Sequence, residues 1–133
     1  MFIERLLNQG NAPLLEQRVR FAAQRMRLLA DNQANISTPD YQQKDLDEGK
    51  FDRMLRERVA RRRESAPGSV GFDDMTPEIL EPKRGVLFHD GNNRTVEQLM
   101  SDVQSNGLKH NLWTELLRKS YGSIENALKE RVT

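Results

Sequence analysis

The chain has no cysteine among its 133 residues, which excludes disulfides, thiolate metal sites and thiol nucleophiles. Long apolar runs are missing as well, and none approaches the ~20 residues of a membrane span. The start, Met1-Phe2-Ile3-Glu4-Arg5, lacks the basic n-region and apolar h-region of a secretory signal. The expectation is therefore either retention inside the cell or export by a route without signal cleavage. A net charge of +1 gives neither a nucleic-acid footprint nor a membrane-surface patch. Hydrophobic residues make up 36% against 31% charged, so the core is expected to be small or shared with partners. The two histidines, His89 and His110, have no second ligand at i+4, and no paired histidine–carboxylate motif accompanies them. There is no Gly-rich phosphate loop, and Ser65, Ser69 and Ser101 have no nucleophile context. A non-catalytic protein is expected, with no catalytic, cofactor-binding or metal-binding residues.

What is present is periodicity. From about Asn11 to Ile36, the residues Leu15, Val19, Ala22, Met26, Leu29, Gln33 and Ile36 alternate spacings of four and three. That 3.5-residue period marks a coiled-coil seam. Leu14, Phe21 and Leu28 run beside it seven apart, and Arg18, Arg20, Arg25 and Arg27 leave the remaining surface basic. Pro13 suits a first helical turn, and Ser37-Thr38-Pro39 ends the helix. A second seam begins near Asn93: Val96, Met100, Val103, Gly107, His110, Thr114, Leu117, Tyr121, Ile124 and Leu128. Leu99, Trp113 and Ala127 flank it on one side, Leu112 and Leu116 on the other. Thr95 with Gln98 has the form of a capping box, with Asn93 as a rival cap. Unbroken, this helix spans roughly 50–55 Å, with the weakest point at Tyr121-Gly122-Ser123.

Between the seams the pattern changes. Phe51, Met54, Leu55 and Val59 give one short amphipathic helix ending near Arg63, and residues 65–71 read as a flexible connection. Thr76-Pro77 is expected to open a helical turn, and Gly85-Val86-Leu87-Phe88 is the one strand-like run. The fold expected is mainly α: long terminal helices, 1–39 and 93–133, pair as an antiparallel coiled-coil-like hairpin. The middle segment, 40–92, is irregular, with a short helix and little or no β. Two seams can satisfy each other, but the flanking stripes would stay exposed, and exposed apolar stripes usually mark partner surfaces. A head-to-tail contact that does not close would build an open array. The plain alternative is a monomeric hairpin whose stripes the middle segment covers.

Other features have bland readings. Arg56, Arg58, Arg61, Arg62 and Arg63 form the strongest basic cluster, but Glu57, Glu64, Asp45, Asp47 and Glu48 dilute it and no aromatic platform is interleaved. A solvated helix face or subunit contact is favoured over nucleic acid. Trp113 at helical spacing is a packing anchor, and Met26, Met54 and Met100 are adaptable fillers.

The run Leu29-Ala30-Asp31-Asn32-Gln33-Ala34-Asn35-Ile36-Ser37-Thr38-Pro39-Asp40-Tyr41 resembles the signature of flagellar rod, hook and hook-associated proteins. In that family a helix runs into Ala-Asn-Asn-(Ile/Leu)-Ala-Asn-x-x-Thr-Pro-Gly-Tyr. Ala30, Asn32, Ala34, Asn35, Thr38, Pro39 and Tyr41 match; Asp31, Gln33 and Asp40 depart, and Asp40 stands where the family has glycine. Asp90-Gly91-Asn92-Asn93 with Val96, Glu97 and Met100 is similar to a stretch of the proximal-rod FlgB type. The resemblance implies a structural subunit of the flagellar basal-body rod in the periplasm. It implies export by the flagellar type III apparatus, with partners that are other copies and other rod and basal-body proteins, and neither nucleic acid nor a direct membrane span. It also implies assembly through the terminal helices, here carried by Leu15, Val19, Ala22, Met26, Leu29, Ile36, Val96, Met100, Val103, Trp113, Leu117, Tyr121, Ile124 and Leu128. The readings set against it are a cytoplasmic helical-hairpin adapter or chaperone-like protein, and a nucleic-acid binder using Arg56–Arg63.

Overall fold

The computed structural model describes residues 10–80 and 96–132. Among these, the order of elements is α1 (Ala12–Ala34), β1 (Asp45–Leu46), α2 (Glu48–Glu64), β2 (Ile79–Leu80) and α3 (Val96–Val132). The chain is mainly helical, as its periodicities imply. α1 opens with Pro13 in its first turn, where no side-chain cap is present and the Asn11 carbonyl accepts from the Leu15 N–H at 2.9 Å. α2 is capped by Asp47, whose carboxylate accepts from the Lys50 N–H at 2.8 Å. Glu48 in its first turn and Arg61, Arg62 and Arg63 in its last complement the helix dipole.

α1 is the central element. Its seam residues Leu15, Ala22 and Leu29 are buried and Val19 and Met26 half-buried. Its second stripe is covered too. Phe21 stacks on Phe51 with ring centroids 4.3 Å apart, and the two join Leu46, Leu55, Phe72 and Met75 in one cluster. Leu14, Leu28, Met54 and Val59 pack against that cluster. The expectation that the α1 flanking stripe would stay exposed is therefore corrected. Phe51 and Leu55 of α2, with Phe72 and Met75 of the following loop, supply enough apolar surface to close it internally.

Over residues 40–80 the middle segment is more ordered than its composition suggests. β1 and β2 pair antiparallel, Asp45 with Leu80 and Leu46 with Ile79, and the Asp47 N–H donates to the Glu78 carbonyl at 2.9 Å. Thr76-Pro77 opens no helical turn but runs irregularly into β2, because the ribbon draws residues 78–80 alongside β1. The expected Gly85–Phe88 strand, both candidate caps of the last helix and His89 lie outside the described residues. Ile36 falls beyond the end of α1, half-buried in the turn that follows, and Gln33 is exposed, so the first seam ends near Leu29. α3 passes Gly122 without a break and, at 37 residues, is about 55 Å long.

α3 lies on α1. The Asn106 amide donates to the Ala22 carbonyl at 2.8 Å, and the Arg18 guanidinium sits over the Trp113 ring at 5.0 Å. Tyr121 donates to Glu16. Of the expected assembly residues on α3, Val103, Trp113, Leu117, Ile124 and Leu128 are half-buried, while Val96, Met100 and Tyr121 are exposed.

Candidate functional site

Two features remain after the core is accounted for: the turn that follows α1, and the outer face of α3. The turn is built by the Ala30–Tyr41 run. Asn32 is 2% exposed, and its amide acts as a surrogate backbone for the returning chain. Its Nδ2 donates to the Lys44 carbonyl at 2.7 Å, and its Oδ1 accepts from the Lys44 N–H at 2.9 Å and the Tyr41 hydroxyl at 3.2 Å. An aliphatic side chain there would leave both Lys44 backbone groups without these partners. Asn35 Nδ2 donates to the Asp31 carbonyl at 2.9 Å, and the Thr38 hydroxyl donates to Asn35 Oδ1 at 3.2 Å. The Thr38 N–H closes on the Asn35 carbonyl at 2.9 Å. Burial, then the nearby Asp31 charge, pushes the Tyr41 phenol above its ordinary value. Asp40 has φ 60°, the one positive-φ non-glycine among the described residues. Glycine occupies that region without steric cost, whereas aspartate is one of the few residues with a side chain that tolerates it. Ala30 and Ala34 of the same run are exposed.

The turn delivers β1 to the buried end of an ion-pair cluster. Arg25 is 8% exposed and meets Asp45 through two bonds, Nε to Oδ1 at 2.8 Å and Nη2 to Oδ2 at 2.7 Å. Glu48 at 3.4 Å and Asp102 at 3.8 Å complete its surroundings, and Lys109 reaches Glu48 at 2.5 Å. The hydrogen bond to Asp45 raises the guanidinium pKa further, against the cost of its burial. One cation thus ties α1 to β1, α2 and α3. The expectation that Arg18 and Arg25 form a solvated basic surface is corrected: Arg18 pairs with Asp52 at 2.5 Å, and Arg25 is internal.

The outer face of α3 carries Leu108, Leu112 and Leu116, exposed by 66%, 52% and 38%. Spacing of four keeps them in one row, and Leu112 lies about 120–140° around the axis from Asn106 and Gly107. They therefore point away from α1. Met100 is also exposed.

Chemistry is thin elsewhere. Among the described residues no three His, Asp or Glu side chains could hold a metal ion, and no helix is long and apolar enough to cross a membrane. In the arginine cluster, Arg58 is bidentate on Asp74 at 2.6 Å and also donates to the Gly71 carbonyl, while Arg62 donates to the Gly10 carbonyl and lies over Phe72. Only Arg56, Arg61 and Arg63 face solvent. Two open clefts of about 310 and 420 Å³ flank the start of α1 and share Arg62, Gly68 and Phe72. Tyr121 borders the first, its phenol pushed up to about 12 by the hydrogen bond to Glu16 and then by burial. No family model matches the chain, and no curated protein matches it either.

Proposed function

We propose that the protein is a structural subunit of the bacterial flagellar basal-body rod, of the proximal-rod type, that assembles with its own copies and other rod proteins through its terminal helices. The observation that carries this reading is the turn after α1. Asn32, Asn35, Thr38 and Tyr41 hydrogen-bond into one tight unit, and Asp40 adopts the left-handed backbone expected where the family signature has glycine. A signature whose matching residues cooperate in a single local structure is better support than the same letters scattered over a surface.

In this reading α1 and α3 form an antiparallel, coiled-coil-like pair. In support, α3 residues 102, 106, 113 and 121 meet α1 residues 25, 22, 18 and 16, in descending order. The outward row Leu108–Leu112–Leu116 is then the face offered to neighbours. Three partly exposed leucines fall well short of the ~800 Å² per partner of a stable interface, so one such contact does not hold a dimer. Many simultaneous contacts in a tubular array can, by effective concentration. The subunit would be monomeric when dilute, would leave through the flagellar export apparatus and would function in the periplasm.

The closed cluster on α1 favours a second reading, a self-contained helical adapter, because that stripe needs no partner for burial. The paired substitution Leu108→Glu/Leu112→Glu separates the two in the native host. The rod reading expects unchanged helicity, lost rod assembly and lost swimming. Normal motility with the folded variant contradicts it.

A further inference from the structure

We propose that Asn106 fixes the register of α3 on α1. Its side chain is 1% exposed, and it is the one buried polar side chain on α3 among the described residues. Its amide donates to the carbonyl of Ala22 at 2.8 Å, a group inside a continuous helix. The residue bearing that carbonyl is small and buried, with Ala22 3% exposed. The neighbouring Gly107 faces Met26: a Cβ built there would lie 3.8 Å from the methionine Cε, an ordinary contact.

In the middle of the contact the apolar pattern does not mark the register. Between Val103 and Trp113 the seam-side positions of α3 are Asn106, Gly107 and His110, so no aliphatic knob marks the middle of the contact. A slip of one turn would shift buried Leu99 and the Arg25–Asp102, Arg18–Trp113 and Tyr121–Glu16 contacts, whose α3 partners keep access to water. It would also move the amide off the Ala22 carbonyl and leave it buried without a partner, which disfavours the slipped state by roughly tenfold or more. A single buried asparagine is the best-attested device for register in paired helices. This inference needs only the contact of α1 with α3 and stands whether or not the protein belongs to a flagellar rod.

The absence of native cysteine makes the test clean. Met26→Cys is combined with Gly107→Cys for the native register, or with Val103→Cys or Asn111→Cys for slips of about one turn. Each pair is equilibrated against glutathione, and the fraction of intrachain disulfide is measured. With Asn106 present, the native pair should exceed each slipped pair at least tenfold. In N106L that ratio should fall at least about fivefold while helicity and melting temperature hold or rise, because an apolar replacement removes the selectivity of the amide and not burial. N106A repeats the comparison should leucine overpack. A native-to-slipped ratio unchanged in both variants overturns the proposal.

Discussion

Replacing Arg25 by methionine keeps the aliphatic stem and removes only the charged fork, so it isolates the ion-pair cluster from the packing around it. The guanidinium is almost buried, and it alone bonds Asp45 twice, with Glu48 and Asp102 close by. Breaking a fully buried pair from one side costs about 3–5 kcal/mol. The three carboxylates here remain partly wetted, at 24–35% exposure, and Lys109 still reaches Glu48, so water recovers part of that loss. R25M should therefore lose about 2–3 kcal/mol, which for a domain of this size lowers the melting temperature by roughly 6–15 °C. Urea unfolding followed by far-ultraviolet circular dichroism measures it directly. The double substitution R25M/D45L should recover about 1 kcal/mol, because it removes the carboxylate bonded most closely to Arg25 and leaves only the partly wetted Glu48, still paired with Lys109, and Asp102. A loss below about 1 kcal/mol in R25M, with no recovery in the double variant, would mean that the cluster does not join the three helices.

Removing the Asn32 amide in N32A should cost about 1–2 kcal/mol by deleting its hydrogen bonds to the Lys44 backbone and the Tyr41 hydroxyl, read from the same unfolding curves. At Asp40, valine should destabilise by about 1 kcal/mol or more while glycine holds or gains stability, since the φ of 60° penalises a β-branched residue most. Gly122→Ala should stabilise by about 0.5–1 kcal/mol, because a methyl there meets nothing within 4 Å and the helix interior gains a better former. Tyr121 should ionise near 12 when tyrosinate absorbance is followed in a Tyr41→Phe background, and E16Q should bring it back towards ten. With its folded pKa raised, the contribution of that hydrogen bond is fully present below about pH 10 and is lost as pH rises from there towards 12.

Helix positions were legible because they rest on local spacing. The seam from Leu15 to Leu29 and the pattern from Val96 to Leu128 each follow one face of a helix, and α1 and α3 run where that spacing places them. Partner choice was not legible in the same way. Phe21, Leu14 and Leu28 announce a second apolar stripe, but nothing local says that Phe51 and Phe72 will cover it, because that contact closes across a loop. Arg25 reads as one more surface arginine among four; its burial depends on Asp45, Glu48 and Asp102 arriving from three other elements. The only hint is that it directly precedes Met26 on the seam. Asn106 is illegible for a related reason: it lies beside the seam position Gly107, and its value lies in a carbonyl 84 residues away. The turn after α1 lay between these cases. Its residues could be named from the signature, and the glycine position identified the site where positive φ would be needed, but the bidentate hold of Asn32 on Lys44 emerged only from the geometry.

The central functional claim is most directly tested by fractionation. Flagellar basal bodies are purified from the native host and probed for this protein, alongside the Leu108→Glu/Leu112→Glu strain. A rod subunit should co-purify with intact basal bodies, at a fixed ratio to the other rod proteins, and should be missing from that fraction in the variant. Its presence only in the soluble cytoplasmic fraction, with complete basal bodies lacking it, would contradict the assignment.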